Sequence, residues 1–241
     1  VRGCLEKYQP VRILNTEKEK NGVKMRNAAE TRTKLLETAI QLLWTSSYHD
    51  IGVSDVCKHA GVTKGAFYHH FDSKAALFAA SARHHWDKGK DELRAIFSPE
   101  IAPLDQLNSY IDLIMNKQKK QAIPGDAEVC VCPIFTAGGQ VGPEDIEIQD
   151  CSRELAEEQI KYLASMIRGL KGEGMLSGDA DVTLLARLVF QFVHGLLTYG
   201  KVFNSLDTVR SDLRVGICRI LDLRCEFRDM KAKEAPLSAA E

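Results

Sequence analysis

Apolar residues recur at helical spacing in long blocks along this 241-residue chain, and no stretch shows a convincing strand pattern. A first helix is expected to open at Asn27, with Glu30 three residues on as its capping partner, and to end near residues 45–48. Leu35, Leu36, Ala39, Ile40, Leu42 and Leu43 give it a wide apolar face. Two short helical runs follow, with Ser54 and Thr63 each placed one residue ahead as N-caps. Gly61 falls between them, where a left-handed turn needs glycine. Ser73 caps a longer helix running from Lys74 toward Phe97. Ser98-Pro99 and Pro103 interrupt the pattern, and another helix is expected near residues 104–120. Residues 121–143 are rich in Gly and Pro. Pro143 opens a long helix with Glu144, Asp145 and Glu147 at its positive end and a stripe from Ile148 to Leu170. Two further helices are expected at 181–203 and 207–227. The expected fold is therefore all-α.

The segment 51–77, IGVSDVCKHAGVTKGAFYHHFDSKAAL, carries the chemistry. Two helices of about two turns joined by a short turn make a helix-turn-helix at about 52–71. Val56, Ala60, Val62, Ala66, Phe67 and Phe71 supply an inner apolar face. Lys64, Tyr68, His69, His70 and Lys74 supply an outer face of donors and cations beside small Gly65, suited to a DNA major groove.

At these residues the chain resembles the TetR/AcrR family of bacterial transcriptional repressors. The family pattern is met by Val53, Ser54, Val56, Ala60, Gly61, Val62, Thr63, Lys64, Gly65, Phe67, Tyr68, His70, Phe71, Lys74 and Leu77, with Cys57 where Ala is usual. The resemblance covers residues of roughly 27–80. It implies an N-terminal three-helix DNA-binding domain at 25–90 and a C-terminal helical ligand-binding and dimerisation domain at 91–230. Ser54, Thr63, Tyr68 and Lys74 are the expected phosphate contacts, and Lys64, Gly65, His69 and His70 lie nearest base edges or flanking phosphates. The partners implied are double-stranded DNA with a pseudo-palindromic operator, a second copy of the chain, and an unknown small ligand whose binding releases the DNA. The last two helices, apolar over more than a narrow stripe, would pair with their copies, with Gly195, Gly200 and Gly216 allowing close approach; packing within one chain would also absorb that surface.

Charge sharpens this picture. The net charge of −1 hides a balance of +4 over residues 24–90 and −7 over 91–241, and six of the seven histidines lie in the first of these segments. A weakly basic reader on an acidic body suits specific DNA binding. No eighteen-residue apolar run is seen, the first twenty-four residues lack the apolar region of a signal peptide, and the seven scattered cysteines do not suggest a disulfide framework. A cytoplasmic protein is expected, with residues 1–24 as a poorly ordered leader and 231–241 as a tail.

Cys132-Pro133 resembles a Gly-Cys-Pro turn found in one branch of the family, some of whose members respond to electrophiles or small unsaturated compounds; Val131 stands in place of the glycine. A thiol capping a helix N-terminus has a lowered pKa, so Cys132 is the expected fast-reacting cysteine, with Cys130 and Cys151 as resolving partners. All three also fit as small packing residues. The spacing of Cys130 and Cys132 is tight for structural zinc, and neither a metal nor a cofactor is expected. Glycine-rich phosphate loops, HExxH and GxSxG are missing, so no enzyme is expected. The rival from another class is a thiol redox enzyme using Cys130 and Cys132, which would leave the helix-turn-helix unexplained.

Overall fold

Helix α1 runs from Thr16 to Thr45 in the computed structural model, which describes residues 16–121, 129–179, 181–228 and 230, the side chains of 16–27 and 119–121 aside. The helix starts well before Asn27, so part of the expected leader is helical. Glu17, Lys18, Glu19 and Lys20 are good helix formers, a propensity that apolar periodicity does not register. Helices α2 (Val53–Ala60), α3 (Lys64–His70) and α4 (Lys74–Ile96) complete an N-terminal head. The body holds α5 (Pro103–Gln121), α6 (Pro133–Gln140), α7 (Ile146–Gly172), α8 (Val182–Val202), α9 (Leu206–Ile220) and the short α10 (Cys225–Arg228).

Three boundaries differ from the sequence expectation. Helix α6 forms inside the Gly/Pro-rich stretch, with Pro133 at its first position, where its missing N–H costs nothing. Pro143–Asp145 make a single 3-10 turn ahead of α7 rather than its first turn. The last expected helix breaks at Asp222, which takes the left-handed φ of 47°, and the chain turns so that Leu223 bridges back to Leu176. Apolar spacing ran through that break because Leu221 and Leu223 are both buried.

Two apolar clusters organise the described residues. The head cluster gathers Leu35, Leu36 and Ala39 of α1 with Val56, Phe67, Phe71, Leu77 and Phe78. It does not stop at the end of α4: Ile134 and Ala137 of α6 and Ile148 and Cys151 of α7 belong to it. The body cluster joins Leu93 of α4 and Leu107 of α5 to Leu163, Met166, Ile167 and Leu170 of α7 and to the inner faces of α8 and α9. Helices α4 and α7 therefore run through both cores as common struts.

Helix α8 is long and apolar enough to cross a membrane by length and composition. Its Ala186, Val189, Phe190 and Val193 are nevertheless buried in the body core, as in a core helix. Leu196 on α8 and Ile217 on α9 are internal too, so the expectation that both helices are apolar for a partner needs refinement. Gly200 and Gly216 serve this internal packing: a Cβ on them would lie 2.5 Å from Val209 and 2.0 Å from the Phe192 ring. What stays exposed is a narrower set, Leu184, Leu188, Tyr199 and Val202 on α8 with Val215 on α9.

Candidate nucleic-acid interface and the head–body joint

The recognition unit is built from local signals. Thr63 is extended and its hydroxyl accepts the Ala66 N–H at 3.1 Å, opening α3. Gly61 ends α2 with φ 67°, and the neighbouring Val62 N–H reaches back to the Cys57 carbonyl at 3.0 Å. Ser54 is not a cap. Gly52 holds that position, and the Asp55 carboxylate accepts the Gly52 N–H at 2.8 Å, so α2 starts two residues earlier and Ser54 is an exposed residue of its first turn. A reciprocal cap through Asp55 replaces a serine cap because Asp55 sits at the third helical position, where a carboxylate reaches back to the cap N–H.

Phe67 is fully buried and fixes the back of α3, with its ring edge-on to Tyr68 at 5.0 Å. Lys64, Gly65, Tyr68 and His69 consequently face solvent together. At Gly65 a Cβ would meet nothing closer than the Thr63 hydroxyl at 3.8 Å, so no contact within the chain demands glycine there. His70 is half-buried, its ring 5.0 Å from that of His69, and burial lowers its pKa, helped by the charges of His69 and Arg32.

Lys74 stands apart from this face. Its ammonium lies 4.0 Å from the centre of the Tyr48 ring, and it is half-buried. Burial pulls its pKa down while Asp145 and Asp50 oppose the shift. Tyr48 is buried, and burial together with the Asp145 carboxylate at the corner between α6 and α7 pushes its hydroxyl pKa up. The neighbouring His49 ring nitrogen lies 2.9 Å from the Gln140 carbonyl. Further along, Arg83 of α4 pairs with Glu154 of α7 at 2.8 Å, and Cys151 Sγ donates to the Ala79 carbonyl at 3.4 Å. These contacts latch the head onto the body. Sequence reasoning missed Tyr48, His49, Gln140 and Asp145, because nothing local marks residues whose partners lie so far along the chain.

The thiols depart from expectation. Cys132 does precede Pro133 at the start of α6, but no side-chain capping bond forms. Burial pushes its pKa up, against the pull of the Phe135 and Ile134 N–H groups. Cys151 is buried and raised for the same reason, with Arg83 opposing. Both pack in the head cluster. Cys130 is half-buried, its N–H donating to Gln118 Oε1 at 2.7 Å.

Comparison with known proteins agrees with this geometry. The family model described as "Bacterial regulatory proteins, tetR family" matches residues 35–81, spanning α1 to α4. The HTH-type transcriptional regulator AcrR of Shigella flexneri is 37% identical over 173 residues, covering 70% of this chain and 78% of that protein. The HTH-type transcriptional regulator UidR of Escherichia coli K12 is 21% identical over 170 residues, covering 70% and 81%. Among solved structures, a TetR regulatory protein from Rhodobacter sphaeroides superposes with a TM-score of 0.67 at 22% identity, covering 78% of this chain and 97% of its own.

Proposed function

The chain belongs to the TetR/AcrR family of DNA-binding transcriptional regulators, and from that premise we propose that it acts as a homodimeric repressor released from its operator by a small ligand. The observation that carries this reading is the outer face of α3. Lys64, Gly65, Tyr68 and His69 are exposed on one side of a helix whose other side is locked by Phe67. Lysine and histidine donate to phosphates and base edges, while the flat Tyr68 ring carries a hydroxyl that can reach the backbone. Ser54 joins the same surface from the first turn of α2, where the free N–H groups of a helix start favour phosphate. Lys74 contributes by holding Tyr48 and so setting how the head is carried.

The exposed Leu184, Leu188 and Tyr199 lie along one face of α8, with Val215 exposed on α9, and support pairing with a second copy, which would present two heads to a pseudo-palindromic site. A ligand among the body helices is supported by polar atoms buried without a partner among the described residues, Trp86 Nε1 and His194 Nδ1. The raised thiol pKa values of Cys132 and Cys151 favour a reversible apolar ligand over an electrophile. The named relatives are regulators, which supports reading the chain as a non-enzyme.

Selection of bound fragments from genomic DNA, followed by a salt titration, tests the reading. With about eight phosphate contacts per dimer, affinity falls roughly 10³–10⁵-fold between about 50 and 200 mM salt. Lys64→Ala changes sequence preference. A flat salt response, or no enriched sequence, refutes the DNA-binding mode proposed here.

A further inference from the structure

A cleft of about 440 Å³ opens where the end of α1, helix α6 and the end of α8 meet. That is within the range of small-molecule sites, roughly 300–1,000 Å³. Leu43, Trp44, Ala137 and Val202 give it apolar walls, and the latch residues Tyr48 and Gln140 also line it. The cleft thus sits at the head–body joint, outside the body interior in which the ligand of the proposed function is placed.

Its polar groups are lopsided. The hydroxyls of Thr45, Thr136 and Thr198 already donate to carbonyls of their own helical turns, at 3.2, 3.0 and 2.8 Å. The Ser47 hydroxyl donates to Asp50 at 2.6 Å. Those groups have only lone pairs left for an occupant. Lys201 is the one charged side chain among the lining residues; it is exposed, and no ion pair to it is seen among the described residues. No acid among the lining residues offsets it. A wall of aromatic and aliphatic groups with a single unbalanced ammonium selects an apolar body that carries one negative charge.

We propose that this cleft binds a small monoanionic amphiphile, an apolar chain or ring with one carboxylate, whose apolar part packs on Trp44 and whose carboxylate meets Lys201.

The chain has two tryptophans, and only Trp44 lines the cleft, Trp86 being packed on the body core. The full chain is titrated with decanoate, decanol and decyltrimethylammonium while tryptophan emission is followed. Decanoate gives a saturable change that Trp44→Phe abolishes, and binds about fivefold or more tightly than decanol. Lys201→Glu, at an exposed position that leaves the thermal transition unchanged, weakens decanoate and makes decyltrimethylammonium the better ligand. Thr136→Phe, also exposed, fills the cleft and removes binding even should Trp44→Phe fold poorly. A response that survives Trp44→Phe and Thr136→Phe places the ligand elsewhere and overturns the site. Equal binding of decanoate and decanol, or indifference to Lys201→Glu, overturns the ligand class. None of these readouts involves DNA, so their failure and that of the repressor reading are separable.

Discussion

Replacing Gly138 by alanine should loosen the helix that ties the head to the body. Gly138 lies inside α6 where that helix crosses α7, and an added Cβ would stand 2.4 Å from both Cβ and Oγ of Ser152. Ser152 is buried and its hydroxyl donates to the Ile134 carbonyl one turn earlier on α6, at 2.9 Å. The methyl group must therefore push Ser152 aside and break that bond. Overpacking of this kind costs ~1–3 kcal/mol. The lost buried hydrogen bond adds ~1 kcal/mol. Alanine's better helix propensity returns ~1 kcal/mol. The net loss is ~1–3 kcal/mol, and a chain of this size melts ~4–8 °C lower for a ~2 kcal/mol loss. The assay is thermal and urea unfolding at fixed protein concentration, since the transition of the proposed dimer would move with concentration. Ser152→Gly opens the space the new methyl needs, so the double variant should be more stable than the two single losses predict, with a coupling of ~1 kcal/mol or more. If Gly138→Ala melts with the wild type, or the double variant is additive to within ~0.5 kcal/mol, the crossing is not as tight as described.

Other consequences follow from particular residues. Thr63→Ala removes the cap of a seven-residue helix and should cost ~1 kcal/mol, read by chemical unfolding, while weakening operator binding more than dimerisation. Leu188→Glu or Val215→Glu, on the exposed face, should give folded monomers in sedimentation, whereas Leu196→Glu, inside the body core, should unfold the chain; folded monomers from Leu196→Glu would misplace the dimer face. His194 is buried between Phe135 and Phe190, with ring centres 4.6 and 4.3 Å away, and burial lowers its pKa to about 4. The unfolded chain then binds the proton more readily, so stability is complete above an unfolded pKa of ~6.5 and is lost as pH falls toward about 4, by at most ~3 kcal/mol. His194→Leu should flatten that dependence in denaturation at pH ~7 and ~4.5. Brief alkylation with mass-spectrometric mapping should find exposed Cys225 ahead of Cys132 and Cys151, whose thiolates burial disfavours.

The helix-turn-helix was legible in the residues because every signal it uses is local. Thr63 caps α3, Gly61 takes a left-handed φ, and Phe67 lies on the apolar side of its own short helix, all within one or two turns of each other. The one local misreading, Ser54 for Gly52 as the cap of α2, was a choice between two small residues two positions apart that Asp55 decided. All-α architecture followed in the same way, since a 3.6-residue period needs no knowledge of distant chain. The joint was a different matter. Lys74 reads as an outward cation until Tyr48 and Asp145, from either side of it in the chain, fold over it. Cys132 reads as a capped, activated thiol until the surrounding core withdraws its solvent, and desolvation then outweighs the helix N–H groups. On α8 and α9 the periodicity marked which residues were apolar, but only packing separated Leu196 and Ile217, turned into the body, from Leu188 and Val215, left outside. Spacing along a helix determines which side chains share a face; which face is covered, and what charge or solvent meets it there, depends on segments the local sequence does not contain.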